Sequence, residues 1–456
     1  LGPSAGGAER LTALARACPV LHKLGQVLAR DRRLGPRLRG QLQRLESMEP
    51  RVPIDVIRAR IEREIGPLER LGLTLEPPAL AEASVAVVVP FRSRDGAAHG
   101  LEDGRGVFKV LKPGIEERLA RELALLEDVG AFLDRRCASL GIPPLDYRAA
   151  FAQVSECLGY EVRLDLEQRH LADARAAYAG WESSVRIPRP LPWSSPRVTA
   201  MERIDGRKVA GDEAGPASTF DRGRLARLIV EALIAQPVWS NAPAALFHAD
   251  PHAGNLLATH DGRLAILDWS LVGTLGVQAR EAMGQILLGG LTLDERPILG
   301  ALRALAERDD DGPALERVVA GHVRRLSRGR GPGFSSLLRL LDEAVQSARL
   351  RVGADLMLFR KVLLMLEGVV ADVAGAGGLD LDVLLTASFV RRLAGEMPGR
   401  FFSPPGSRAF GTRLSNADLT RLALSIPWTT ARVGLDWWQQ MLAPGDPARL
   451  LEAGSA

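Results

Sequence analysis

Cysteine is nearly absent from this chain of 456 residues: Cys18, Cys137 and Cys157 are odd in number, widely spaced and without a C-x-x-C pair. A disulfide framework and a zinc finger are therefore excluded as organising devices, and a reducing compartment is expected. No uninterrupted apolar run of about 18 residues occurs, and the chain opens without the charged-then-apolar pattern of a secretory signal. An integral membrane protein is not expected. Lysine is scarce as well. Of the 59 basic residues only Lys23, Lys109, Lys112, Lys208 and Lys361 are lysines. Lysine offers a compact ammonium where arginine offers a wide planar fork, and a phosphate clamp in a tight cleft favours the former. The formal net charge of only +4 argues against a nucleic-acid partner, although the first 72 residues carry 14 basic against 8 acidic side chains. That local excess reads as a face for an anionic partner or as a solvated helical surface.

What remains is an ordinary globular balance, 46% hydrophobic and 25% charged, which rules out disorder, collagen and coiled coil. Residues 20 to 71 read as helices, with stripes of Leu21, Leu24 and Leu28, of Leu38, Leu42 and Leu45, and of Ile54, Ile57, Ile61, Ile65 and Leu68. Valine-rich residues 85 to 89, a Gly/Asp-rich turn region over 94 to 106 and Val107-Phe108-Lys109-Val110 then predict a hairpin. Helices are expected over 115 to 135 and 146 to 178, a short strand at 197 to 201, a helix around 225 to 233 and a strand at 264 to 267. Helices dominate from 277, including the apolar 356 to 370 as core and an amphipathic end, 416 to 442, bearing Trp428, Trp437 and Trp438. No internal repeat is found. Strands among helices suggest a small α+β lobe ahead of a helical one.

Phosphoryl transfer from ATP needs a cationic clamp on the phosphates, a group that orients it, a base near the acceptor and oxygen ligands for Mg²⁺. The stretch His248-Ala249-Asp250-Pro251-His252-Ala253-Gly254-Asn255 places Asp250 five residues before Asn255, and Asp268 follows at the end of a strand. One of these can meet the acceptor while the others turn to metal. Lys109 ends the hairpin strand as a phosphate lysine does, and Glu167 on the following helical stretch can hold it. His248 and His252 are read as braces of the loop rather than as chemical groups. Zinc on His248, Asp250 and His252 leaves Asn255 and Asp268 unexplained and lacks an H-E-x-x-H partner, so ATP and Mg²⁺ are the expected cofactors.

Taken together, these residues resemble the UbiB/AarF atypical kinase-like family, implicated in ubiquinone and other isoprenoid-lipid metabolism, over most of residues 20 to 372. Lys23-Leu24-Gly25-Gln26 resembles the family's K-x-G-Q hallmark on an N-terminal helical extension. Glu82-Ala83-Ser84-Val85-Ala86 resembles its alanine-rich loop, Lys109 to Ile115 the stretch around its nucleotide lysine, and Met201 to Gly206 its interlobe hinge. The resemblance implies a helix-rich α+β, two-lobed protein-kinase-like fold. It implies an extension over 1–72, a small nucleotide-binding lobe with hinge over 73–205, a large catalytic lobe over 206–380 and a helical, membrane-contacting segment over 381–456.

Carried over to this chain, Lys109 pairs with Glu167 and touches phosphate, Asp250 is the acid/base, and Asn255 with Asp268 binds Mg²⁺. Lys23 and Gln26 cap the nucleotide, with Ala83, Ser84, Glu161 and Glu202 also on the nucleotide side. The implied activity is that of an atypical kinase-like ATPase, cytoplasmic and peripheral at a membrane, with isoprenoid lipid or lipid-biosynthesis proteins as partners. An aminoglycoside-phosphotransferase-like small-molecule kinase and a nucleotide-binding scaffold are the alternatives. Four departures stand out: Arg163 replaces the aspartate of the family's E-x-D, His170 an asparagine, Val87 a glutamine, and Asp268-Trp269-Ser270 stands for D-F-G. Loss of that glycine predicts a less mobile loop after Asp268.

Overall fold

The computed structural model describes residues 18–21, 52–140, 147–210, 221–307, 311–328, 333–375, 380–425 and 427. Lys23, Gln26 and the three tryptophans of the terminal segment lie outside these. The described residues form two compact units. The first runs to residue 210 and takes back His252–Val272, while the second holds residues 221–251 and those from Gly273 onward.

The first unit begins with α1 (Ile54–Ile65), then β1 (Leu73–Leu75), β2 (Ala81–Glu82), β3 (Ala86–Ser93) and β4 (Arg105–Leu111). Helices α2 (Ile115–Leu140), α3 (Tyr147–Glu161) and α4 (Leu164–Ala177) follow, with β5 (Val185–Arg186), β6 (Val198–Glu202) and β7 (Gly206–Lys208) behind them. The antiparallel sheet has the order β1-β3-β4-β6, with β2 on β3. Its strands are nearly continuous apolar runs because both faces are covered. The isoleucine stripe of α1 buries Ile57 and Ile61 completely against Val87, Val89, Phe91, Phe108 and Val110. Phe91 and Phe108 stack at 4.3 Å, and Gly106 is the residue that makes room, since a Cβ there would stand 2.4 Å from the Phe91 ring. On the other side Leu164 of α4 packs with Val85, Ala86, Leu111 and Ile115.

The expected hairpin is present, its turn closed by left-handed Gly100 and Gly104. The helical pattern over 146 to 178 is two helices broken at Val162-Arg163. The second sheet of this unit, β5-β10-β9-β7, adds β9 (Leu256–Thr259) and β10 (Leu264–Ile266) from the returning segment.

The second unit starts with α5 (Arg222–Val230), whose ladder widens to a π turn over Glu231–Ala235 just before Pro237. A proline without an N–H accounts for that widening. Strand β8 (Ala244–His248) pairs with β11 (Val272–Gly276). Then come α6 (Val277–Thr292), α7 (Glu295–Leu305), α8 (Gly312–Ser327), α9 (Phe334–Ser347), α10 (Ala354–Ala374) and α11 (Leu381–Arg400). The apolar 356 to 370 lies within α10 and buries Leu356, Phe359, Val362, Leu363 and Leu366, as expected of core. Fully buried Arg280 donates to the carbonyls of Ser240, Ala242 and Pro243, so one guanidinium satisfies the loop ahead of β8. Burial, helped by Arg413, lowers its pKa to about 10. No helix among the described residues is long and apolar enough to cross a membrane.

His322 of α8 is 3% exposed. Burial first, then Arg325 and Arg339, opposed by Glu343, hold its pKa down at about 4. The native ring is therefore neutral where the unfolded ring, near 6.5, takes a proton, so its contribution is present above 6.5 and is lost as pH falls towards 4. Chemical denaturation at pH 7 and pH 5 should show His322→Leu losing about 2 kcal/mol less over that interval than the parent. Equal losses in both chains would show that this ring is not the acid-sensitive group.

Candidate active site

The centre of the first unit is an ammonium between two carboxylates. Lys109, in the middle of β4, faces Val88 on one side and Thr199 of β6 on the other. Its Nζ donates to Glu167 Oε1 at 2.8 Å, Glu167 Oε2 at 2.9 Å and Asp268 Oδ1 at 3.2 Å. Lys109 and Glu167 are 9% and 3% exposed, while the Asp268 side chain is 39% exposed. Glu167 sits in the first turn of α4, where the helix dipole favours an anion. The neighbouring Gln168 fixes that helix to the sheet, its Nε2 donating to Ser195 O at 2.8 Å and Thr199 Oγ1 at 3.0 Å. Thr199 is the cross-strand partner of Lys109, so one register sets both halves of the ion pair.

Burial pushes the Glu167 carboxyl up to about 7 against the pull of Lys109. Burial also opposes the Lys109 charge, but Asp268 and Glu167 outweigh it and hold its pKa above the ordinary lysine value. The signs differ. Glu167 takes stability away as pH rises from about 4.5 to 7, whereas the Lys109 contribution is complete below about 10.5 and fades only above it.

Asp268 follows β10 with φ of 52°, a left-handed backbone uncommon outside glycine. The next residue holds it there. Trp269 is fully buried, donates from Nε1 to Ile266 O at 3.1 Å, meets Tyr178 edge-on at 6.1 Å, and its carbonyl lies 3.1 Å from His170 Nδ1. The Asn255 carbonyl accepts from Leu267 N at 2.8 Å, which ties its loop to the chain just ahead of Asp268. His252 accepts from Gly254 N at 3.1 Å and braces that turn. Asp250 belongs to the other unit, with fully buried His248 accepting its backbone N–H at 3.2 Å. Both histidines thus brace backbone, as the sequence reading expected.

The alanine-rich loop is latched at two points. Ser84 Oγ donates to Glu161 Oε2 at 2.8 Å, and Lys112 meets Glu82 at 2.8 Å. Ala83 N closes the turn on Ala86 O at 2.8 Å. The Glu202 carboxylate takes Arg186 Nη2 and the Arg189 backbone N–H. Exposed Arg163 forms a two-point ion pair with half-buried Asp165, whose pKa it pulls down to about 2. The roles of Gln168, Trp269 and Arg186 were not legible in sequence, since each depends on a partner far away along the chain.

The donor set fits Mg²⁺. Asp268 and Asn255 offer hard oxygen ligands, and among the described residues no group of three or more His, Cys, Asp or Glu could hold a metal ion. Mg²⁺ suits such a site because it binds through one or two carboxylates and completes its shell with water and phosphate oxygens. Lys109 beside Asp268 is a cation of the kind that phosphate binding requires.

A helix-rich α+β fold with this lysine, glutamate and aspartate defines the class of atypical kinase-like proteins. Residues 44–301 match the ABC1 atypical kinase-like domain, and the chain belongs to that family. It is 28% identical to UbiB of Marinobacter nauticus over 84% of this chain and 69% of that one. It is 29% identical to a chloroplastic aarF domain-containing protein kinase of Arabidopsis thaliana, over 65% of this chain and 54% of that one. It is also 27% identical to the chloroplastic ACTIVITY OF BC1 COMPLEX KINASE 1 of the same plant, over 77% and 51%. The chain thus spans about half the length of both plant relatives. The structure of Rv3197 with erythromycin, from Mycobacterium tuberculosis, shares the fold at a TM-score of 0.50 and 17% identity, covering 80% of this chain and 91% of that one.

Removing Lys109 leaves Glu167 buried without its cation. Lys109→Met should cost about 3 kcal/mol in urea unfolding at pH 8. The loss should be smaller at pH 5, where Glu167 takes up a proton, and Lys109→Met/Glu167→Gln should recover most of it. A deficit that ignores both pH and the second substitution would contradict the pairing energetics.

Proposed function

We propose that this chain binds Mg-ATP and acts as an atypical kinase-like ATPase in support of ubiquinone or related isoprenoid-lipid metabolism. The observation that carries this reading is the single Lys109 Nζ bonded to Glu167 and Asp268 within one unit. Glu167 fixes the ammonium so that it needs no reorganisation to meet phosphate oxygens, and the dry surroundings strengthen that attraction. Asn255 and Asp268 hold Mg²⁺, which when bound neutralises charge on the phosphates. Asp250, five residues before Asn255, orients the attacking hydroxyl or water and takes its proton. Ala83 and Ser84 form the backbone over the phosphates, and the bond from Ser84 to Glu161 sets that loop's height. The resemblance assigns Lys23 and Gln26, outside the described residues, to nucleotide binding, and Glu202 to the hinge. The family membership and the likeness to UbiB support the lipid context, while a place at a membrane surface is proposed from the sequence resemblance alone.

Phosphate release from Mg-ATP should be measured with and without anionic vesicles containing an isoprenoid quinone. Asp268→Ala and Asp250→Asn should each lower turnover by about 100-fold or more in protein that remains folded by circular dichroism. Undiminished turnover in Asp268→Ala would overturn the assignment. Nucleotide binding without turnover under every condition would favour a scaffold instead.

A further inference from the structure

A cavity of about 270 Å³ lies in the first unit, lined, apart from Glu202, by residues that the proposed chemistry leaves unused. Four arginines converge on it from three stretches of chain: Arg175 near the end of α4, Arg186 on β5 with Arg189 in the loop directly after it, and Arg263 in the turn before β10. Against them stand the carboxylates of Glu182 and Glu202. A solvated charge run would come from one helix face, whereas this convergence comes from tertiary folding. The arginines are also braced. Arg175 Nη1 donates to Ile187 O at 2.8 Å, Arg263 grips Asp261 through Nε at 2.8 Å, and Arg186 is held by Glu202. Arg189 reaches Gly100 O with Nη2, yet its Nε is buried with no hydrogen-bond partner among the described residues. A buried donor without an acceptor costs free energy that a ligand oxygen would recover.

We propose that this cavity is a binding site for a phosphate monoester dianion, distinct from the site of Lys109 and Asp268. A tetrahedral dianion accepts from several directions at once, which suits four forks arriving from three stretches of chain, whereas one planar carboxylate is satisfied by a single fork. The Tyr178 ring supplies an apolar wall for the organic part of the ester. The anion sits beside Glu202 and competes with it for Arg186, so occupancy bears on the segment from Met201 to Gly206. That segment is itself tethered by Arg105 and Arg203 on Asp205, at 2.9 Å each.

The test is calorimetric titration of the intact chain with inorganic phosphate against chloride at matched ionic strength, with hydrogen exchange on the same samples. Saturable binding is expected, about tenfold weaker in Arg175→Met and in Arg263→Met, with both variants retaining Mg-ATP affinity. Phosphate should protect amides of residues 182 to 189 in the parent chain, a readout that does not depend on a variant folding. Glycerol 3-phosphate and phosphatidic-acid vesicles, run in parallel, distinguish a soluble ester from a lipid headgroup. Binding lost in Lys109→Ala but retained in both arginine variants would place the anion on the nucleotide residues and overturn the proposal. Absence of saturable binding, or protection confined to residues 82 to 112, would overturn it too.

Discussion

Everything around the candidate site is arranged to keep one ammonium buried and charged. An isolated lysine at 9% exposure would lose its proton, so Lys109 requires the Glu167 carboxylate at 2.8 Å, and that carboxylate requires the lysine in turn. Neither residue is placed by its own element alone. The position of Lys109 follows from the β3-β4-β6 register and that of Glu167 from α4, and Gln168 couples the two by bonding to Thr199 opposite Lys109. A one-residue slip of β4 would turn Lys109 to the other face and leave Glu167 uncompensated. The penalty for a lost partner therefore acts as a register constraint on the sheet.

Arginine and lysine divide the work of positive charge by shape. Arg280 uses several donors of one fork to satisfy carbonyls of irregular backbone, while Arg400 shares its fork among the Leu414 carbonyl, Glu396 and Thr412 and lies over the Phe410 ring at 3.9 Å. Lys109 and Lys112 instead stand within β4 and just beyond it, each against a glutamate of a different segment. A guanidinium in place of Lys109 would need room for a wide plane between Glu167 and Asp268. This shape difference is why two of only five lysines fall in that short stretch of a chain rich in arginine.

Lys109, Glu167 and Asp268, which the structure brings together, could be singled out in sequence because their types and spacings are local signals: a lysine on a valine-rich strand, a glutamate on the helical stretch that follows, an aspartate after a strand. The isoleucine stripe of α1 and the hairpin were legible for the same reason, a short period read over a few residues. Partners separated by long stretches of chain were not. Nothing local in Glu202 announces Arg186, and nothing in His170 announces the Trp269 carbonyl 99 residues away. The break at Val162-Arg163 was hidden because both helices keep an apolar period across it. Arg163 stands in sequence only as a replacement for the family's aspartate, whereas in three dimensions it clamps Asp165.

The substitution of Trp269-Ser270 for the usual aromatic-glycine pair has a consequence in the same terms. In ordinary kinases a glycine after the aromatic residue lets the loop invert. Here the indole is fully buried, held by Ile266 O at one end and flanked by Tyr178, and its carbonyl is read by His170. Withdrawing such a ring would expose roughly 200 Å² of apolar surface, about 5 kcal/mol, before any hydrogen bond is counted. Asp268 is thereby kept at its left-handed φ of 52° with Oδ1 turned to Lys109. The buried pair fixes the lysine, the buried indole fixes the aspartate, and the two constraints meet in the 3.2 Å contact between them.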